Sequence, residues 1–143
     1  MPDVRIITVE AVVFRLMIGH AGNQPDQLAV ADTRSLAVLP FENGTGDPGA
    51  EYLCDGLTES LIITLSQIPE LKVISRRSAF AFKDSAEDLK VIGDKLGVEA
   101  LLVGRLVQRG AELAVSAELV DTADNRQLWG GRYSHEQGDV LAL

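Results

Sequence analysis

The residues with the clearest chemical potential sit in one loop. Gly44-Thr-Gly46-Asp-Pro-Gly49 spells G-x-G-x-x-G after an apolar run, Leu36 to Phe41, and before a helical pattern. A dinucleotide-binding fold places its phosphate cradle at that position. Such a cradle works through free backbone amides at a helix start, in a field that welcomes anions. Here Pro48 removes one amide, Asp47 occupies the capping position, and residues 35–67 hold Glu42, Asp47, Glu51, Asp55 and Glu59 with no Lys, Arg or His. That field repels pyrophosphate. The acid expected to hold a ribose, about 20 residues on at the end of the second strand, is replaced by Arg76-Arg77, which would suit only a 2′-phosphate. Two readings follow: a nucleotide-binding domain using the Gly44–Gly49 loop with Arg76-Arg77, or a tight turn without a ligand. The field favours the turn.

Arg76, Arg77 and Ser78 follow the second predicted strand. At the carboxyl ends of parallel strands they would lie near Asn43 and Thr45, where ligands bind in open α/β sheets. These five residues are the candidate binding site. The competing reading pairs the arginines with surface acids such as Glu70 and Asp84, contacts that contribute little. Cys54, the single cysteine, falls beside an apolar helix stripe and reads as a small core residue. His20 and His135 are far apart and lack cysteine partners, so no metal centre is expected. Gly-x-Ser-x-Gly, the P-loop pattern and His-Glu-x-x-His are all absent, which removes the support for hydrolase, nucleoside triphosphatase and metalloprotease readings. No catalytic residue and no cofactor are expected. Trp129 and Tyr133 lie along one predicted strand, as a core filler or a binding stripe.

These residues need elements to hold them. Leu36 to Leu39 is a continuous apolar run, as in a parallel strand buried on both faces. Asp47 and Pro48 form a helix start. Ala50, Leu53, Leu57, Leu61, Leu65 and Ile68 make one stripe that Pro69 ends. Leu71 to Ser75 reads as a second strand, parallel because a helix carries the chain back. Ser85 with Asp88 resembles a capping box for a second helix, Leu89 to Leu96, which Gly97 ends. Val98 to Val107 is a third strand. Leu113, Val115, Ala117 and Leu119 alternate with polar residues, as in an antiparallel strand with one wet face. Arg126 to Tyr133 closes the pattern, and Gly130-Gly131 suggest a bulge. The fold class is α/β: β-α-β-α-β-β-β, a mixed sheet with two main helices.

The chain has 143 residues, 46% of them hydrophobic and 24% charged, with a net charge of −8. That is enough to bury one core. The charge disfavours nucleic acid as a partner of this domain, and membrane surfaces likewise. Residues 4–18 are rich in Val and Ile and read as a strand, with the helical spacing of Ile6, Val9, Val13, Leu16 and Met17 as the alternative, but Glu10 and Arg15 interrupt them, so neither a membrane span nor a signal-peptide core is expected. The polar stretch from Gly19 to Arg34 reads as a linker. Residues 1–34 are thus an N-terminal extension adding a strand, and 35–143 the compact domain. Asp139 to Leu143 has the look of a first helical turn, so the domain is expected to continue beyond it. An exposed strand would leave amides unpaired, so the extension is expected to dock on its own sheet or on a second copy, giving a homodimer.

The motifs also carry a family resemblance. Ser35-Leu-Ala-Val-Leu-Pro-Phe-Glu-Asn43, Glu51-Tyr-Leu-Cys-Asp-Gly-Leu-Thr58, Leu71-Lys-Val-Ile-Ser-Arg76, Ser78-Ala-Phe-Ala-Phe-Lys83 and Gln127-Leu-Trp129 resemble the TolB amino-terminal-like domain of multidomain bacterial proteins, over about Ser35 to Leu143. The resemblance implies an α/β accessory module beside tetratricopeptide repeats, adenylate-cyclase-like or DNA-binding domains. It implies a non-catalytic role in protein binding or signal sensing, with neighbouring domains or itself as partner. As given, the chain reads as soluble and cytoplasmic, and the resemblance leaves a periplasmic place open.

Overall fold

The computed structural model describes residues 33–136. The strand expected over residues 4–18, His20 and the turn at Asp139–Leu143 lie outside them. Ser35–Val38 (β1) pairs in parallel with Lys72–Val73 (β3) on one side and Ala100–Arg109 (β4) on the other. Glu42–Asn43 (β2) also runs parallel to β4. Glu112–Asp121 (β5) and Gln127–Glu136 (β6) add antiparallel strands, so the sheet order is β3-β1-β4-β5-β6 with β2 on β4. This is the expected mixed sheet.

The alternation of β1 feeds two cores, as a strand buried on both faces requires. Leu36 and Val38 join the larger one, with Leu57, Leu61 and Leu65 of the helix Glu51–Leu65 (α1), Leu102 and Leu106 of β4, and Trp129 of β6. Ala37 and Leu39 join the smaller one on the opposite face, with Leu101 and Ile92 of the helix Leu89–Leu96 (α3). Asp47 caps the 3-10 turn Pro48–Ala50 that leads into α1, and Gly97 ends α3 in the left-handed region at φ 70°.

Four details differ from the periodic reading. β3 pairs over two residues only, because Ser75 turns the chain into a short helix, Arg76–Phe80 (α2), by accepting from the Ser78 amide. The cap of α3 is Asp88 rather than Ser85, whose hydroxyl accepts from the Glu87 amide instead. The register slip of β6 falls at Leu119/Val120, opposite Leu128, and not at Gly130-Gly131. Gly131 instead clears space for the Trp129 ring, which would meet a Cβ there. Finally, Val38 faces Leu102 while Glu42 faces Arg105, so four steps on one strand match three on the other. This slip at Pro40, which has no amide to give, turns Phe41 into the α1 core.

Candidate functional site

A crevice of ≈ 570 Å³ opens beyond the carboxyl end of β1, between the start of α1, the segment joining α2 to α3, and Val103 and Gly104 of β4. Its walls are Phe41, Asn43, Glu51, Phe82, Lys83 and Ile92, among others. This is where an open α/β sheet places a ligand.

The Gly44–Gly49 loop at its rim offers one free amide, that of Gly46, and engages the others. Gly44 N–H donates to the Leu106 carbonyl at 2.7 Å, Thr45 N–H to Asn43 Oδ1 at 3.1 Å, Asp47 N–H to Thr45 Oγ1 at 3.0 Å, Gly49 N–H to Asp47 Oδ1 at 2.9 Å and Ala50 N–H to the Asp47 carbonyl at 3.0 Å. All but one of the donors that would cradle a phosphate are committed within the protein. The glycines have other reasons. Gly46 adopts φ 81°, and a Cβ on Gly44 would run into the Arg105 side chain and the Leu106 carbonyl.

Of the five candidate binding residues, Asn43 and Thr45 lie together and brace this loop. Asn43 Nδ2 donates to the Asp47 carbonyl at 2.8 Å and its Oδ1 accepts from Thr45 Oγ1 at 2.6 Å. Arg76, Arg77 and Ser78 form the first turn of α2 and do not line the crevice. Arg76 lies 3.4 Å from Glu59, rather than pairing with Glu70 or Asp84, and stacks over the Phe80 ring at 4.2 Å. Arg77 is exposed. The structure thus forms two separate groups where the sequence suggested one.

Lys83 was missed. Its ammonium donates to both Asp55 oxygens, at 2.9 and 2.8 Å, and lies 3.0 Å from Glu51. The hydrogen bond to Asp55, then that to Glu51, raises its pKa above the usual lysine range. A signal existed: Glu51, Asp55 and Glu59 form an acidic ladder at four-residue spacing on α1 with no cation in the helix. The structure answers it with Lys83 and Arg76, both from the segment after β3. Cys54 lies beside this cluster, fully buried, its thiol 3.6 Å from the Glu42 carbonyl. Burial first, then Glu51 and Asp55, push its pKa up to about 11, and Lys83 opposes them. A thiol so placed stays protonated at neutral pH and is no nucleophile. Among the described residues no group of three or more His, Cys, Asp or Glu could hold a metal ion.

With this geometry, four likenesses place the chain. Residues 31–139 match the model of the HilA/YgeH-like transcriptional regulator, second domain. A Rhizobium meliloti (strain 1021) protein named "Putative adenylate cyclase 3" is 36% identical over 123 residues, 86% of this chain and 21% of that protein, so this chain spans about one fifth of its relative. Among solved structures, lipoprotein GNA1162 from Neisseria meningitidis superposes with a TM-score of 0.58 at 21% identity, covering 73% of this chain and 81% of that one. The LpoB C-terminal domain from Salmonella enterica gives 0.59 at 16%, covering 73% and 84%. These two likenesses concern the fold. The TolB amino-terminal-like family suggested by the motifs is not the one whose model matches, although the mixed α/β architecture it implied is present. The chain belongs to the family of second domains of HilA/YgeH-like transcriptional regulators.

Proposed function

We propose that this chain is a non-catalytic, protein-binding module within a larger regulatory protein, engaging neighbouring domains of its parent or a second copy of itself. The observation that carries this reading is the commitment of four of the five amides of the Gly44–Gly49 loop to internal partners, only that of Gly46 being left. It withdraws most of the donors that a nucleotide would need and leaves surfaces rather than a cradle for recognition. A relative in which a region of this size is one fifth of the chain supports an accessory role. So does the outer side of α1, where Tyr52 and Ile63, eleven residues and close to three turns apart, are 64% and 54% exposed.

Calorimetric titration with NADP and with cyclic nucleotides tests the reading, alongside titration of the isotope-labelled chain with the other domains of its parent. The expected result is no heat with the nucleotides and saturable shifts with a parent domain. Micromolar nucleotide binding that disappears in Arg77→Ala would favour the nucleotide-binding alternative and overturn the proposal.

A further inference from the structure

Among the described residues, the sheet face opposite α1 is covered only in part. α3 seals Ala37, Leu39 and Leu101, but further along β4 Val103 and Val107 are half-exposed and a depression of ≈ 360 Å³ opens over β4, β5 and β6. The register sets Arg105, Ser116 and Arg132 in one row across three strands, with Arg109 four residues on along β4. With strands ~4.8 Å apart and a rise of ~3.3 Å per residue, the backbone positions of Arg105 and Arg132 are about 10 Å apart and those of Arg105 and Arg109 about 13 Å. All three arginines are exposed. Among the described residues none has a carboxylate within ion-pair distance, in a protein of net charge −8. Arg105 is also seated by the fold, because Gly44 lacks the Cβ that would collide with its side chain.

We propose that this arginine face docks a carboxylate-rich segment of a partner protein, whose apolar side chains seat on Val103 and Val107. The inference rests on the reading of the chain as a protein-binding module and names its partner's chemistry. Charge complementarity selects the occupant. Guanidinium forks match carboxylates in two parallel hydrogen bonds, and the half-exposed valines reward a segment with apolar side chains between its acids. A nucleic acid fits less well. Glu42 and Glu118 share the depression and would oppose an unbroken line of phosphates, whereas spaced carboxylates can meet the arginines and avoid both.

The test uses the full chain and a dye-labelled peptide in which Glu alternates with Val, with a short DNA duplex as the competing probe. Expected are saturable peptide binding that weakens with salt, amide shifts confined to β4, β5 and β6, and a loss of about tenfold or more in the Arg105→Gln/Arg132→Gln double variant. Lys72→Gln, at the far edge of the sheet, should bind as the parent does. Shift mapping on the unaltered chain needs no variant, and thermal melts check that the double variant folds. Absence of peptide binding, undiminished binding by the double variant, or tighter binding of the duplex each overturns the proposal. Titration with the parent's other domains separates the two levels. Shifts on α1 instead of this face sink the arginine surface and leave the module reading standing, whereas no response to any parent domain in a chain that is also monomeric sinks the module reading itself.

Discussion

At the scale of single residues, Thr58 ties helix to sheet. It is fully buried, its hydroxyl donates to the Cys54 carbonyl at 2.8 Å, and it accepts from the Phe41 amide at 2.9 Å. That amide follows Pro40, where the strand slips, and has no ladder bond of its own to fall back on. Thr58→Val keeps the shape and strands the amide, so chemical denaturation should show a loss of about 1–3 kcal/mol, largely restored by Thr58→Ser. Cys54, one turn earlier, makes stability depend on alkaline pH. Its folded pKa of about 11 lies above the ordinary 9.0, so the folded chain holds the proton longer than the unfolded one. Stability is unaffected below about pH 9 and falls as pH rises from there towards 11. Unfolding curves across that window should show this component in the parent chain and lack it in Cys54→Ala. At pH 8 the native thiol should resist alkylation until the protein unfolds.

Elements show how much a periodic pattern can carry. α1, α3 and β5 were legible because each puts its apolar residues at the period of its own geometry, β1 because its apolar run is unbroken, and the helix ends were marked by Asp47, Pro48 and Gly97. β2, α2 and the slip at Pro40 were not legible. β2 and the slip are settled by partners distant in sequence, Arg105 and Leu106 for β2 and Thr58 for Phe41, whereas α2 starts from the local Ser75 cap that the apolar strand pattern hid. The candidate site suffered in the same way, since Arg76 and Arg77 were drawn towards Asn43 by strand order alone while α2 carries them to the side of α1. Gly104 records another non-local demand. A Cβ there would meet the Phe41 ring and the Ser116 carbonyl oxygen, and the carbonyl belongs to a paired strand. Gly104→Ala should therefore cost about 1–3 kcal/mol in chemical denaturation despite better intrinsic propensity, as overpacking does.

For the whole molecule, the two cores are unequal, and the α1 side holds most of the buried residues, from Leu36 to Trp129. Leu61 is fully buried and Trp129 is 7% exposed. Leu61→Ala and Trp129→Ala should each cost roughly 2–5 kcal/mol in denaturant titrations, against a typical total of about 5–15. The sheet also ends in two different edges. β3 is paired over two residues, whereas β6 runs for ten and pairs only with β5 among the described residues. A long open edge invites another strand, and residues 4–18 have the composition for one. Light scattering should find a dimer for the full chain and a monomer for a version starting at Ser35. A dimer that survives the deletion would assign assembly to another surface.

The position of β1 has a consequence for how the chain is made. It is the first strand of the described sheet, yet it lies inside, and both of its neighbours come later: Val73 pairs with Leu36, and Leu102 with Val38, 64 residues on (102 − 38). At synthesis rates of about 5–20 residues per second, the most apolar strand of the sheet leaves the ribosome roughly 3–13 seconds before its second neighbour exists. During that interval α1, already synthesised, is the cover at hand for Leu36 and Val38, which makes the β1–α1 pair the nursery of the fold, while Ala37 and Leu39 wait for α3.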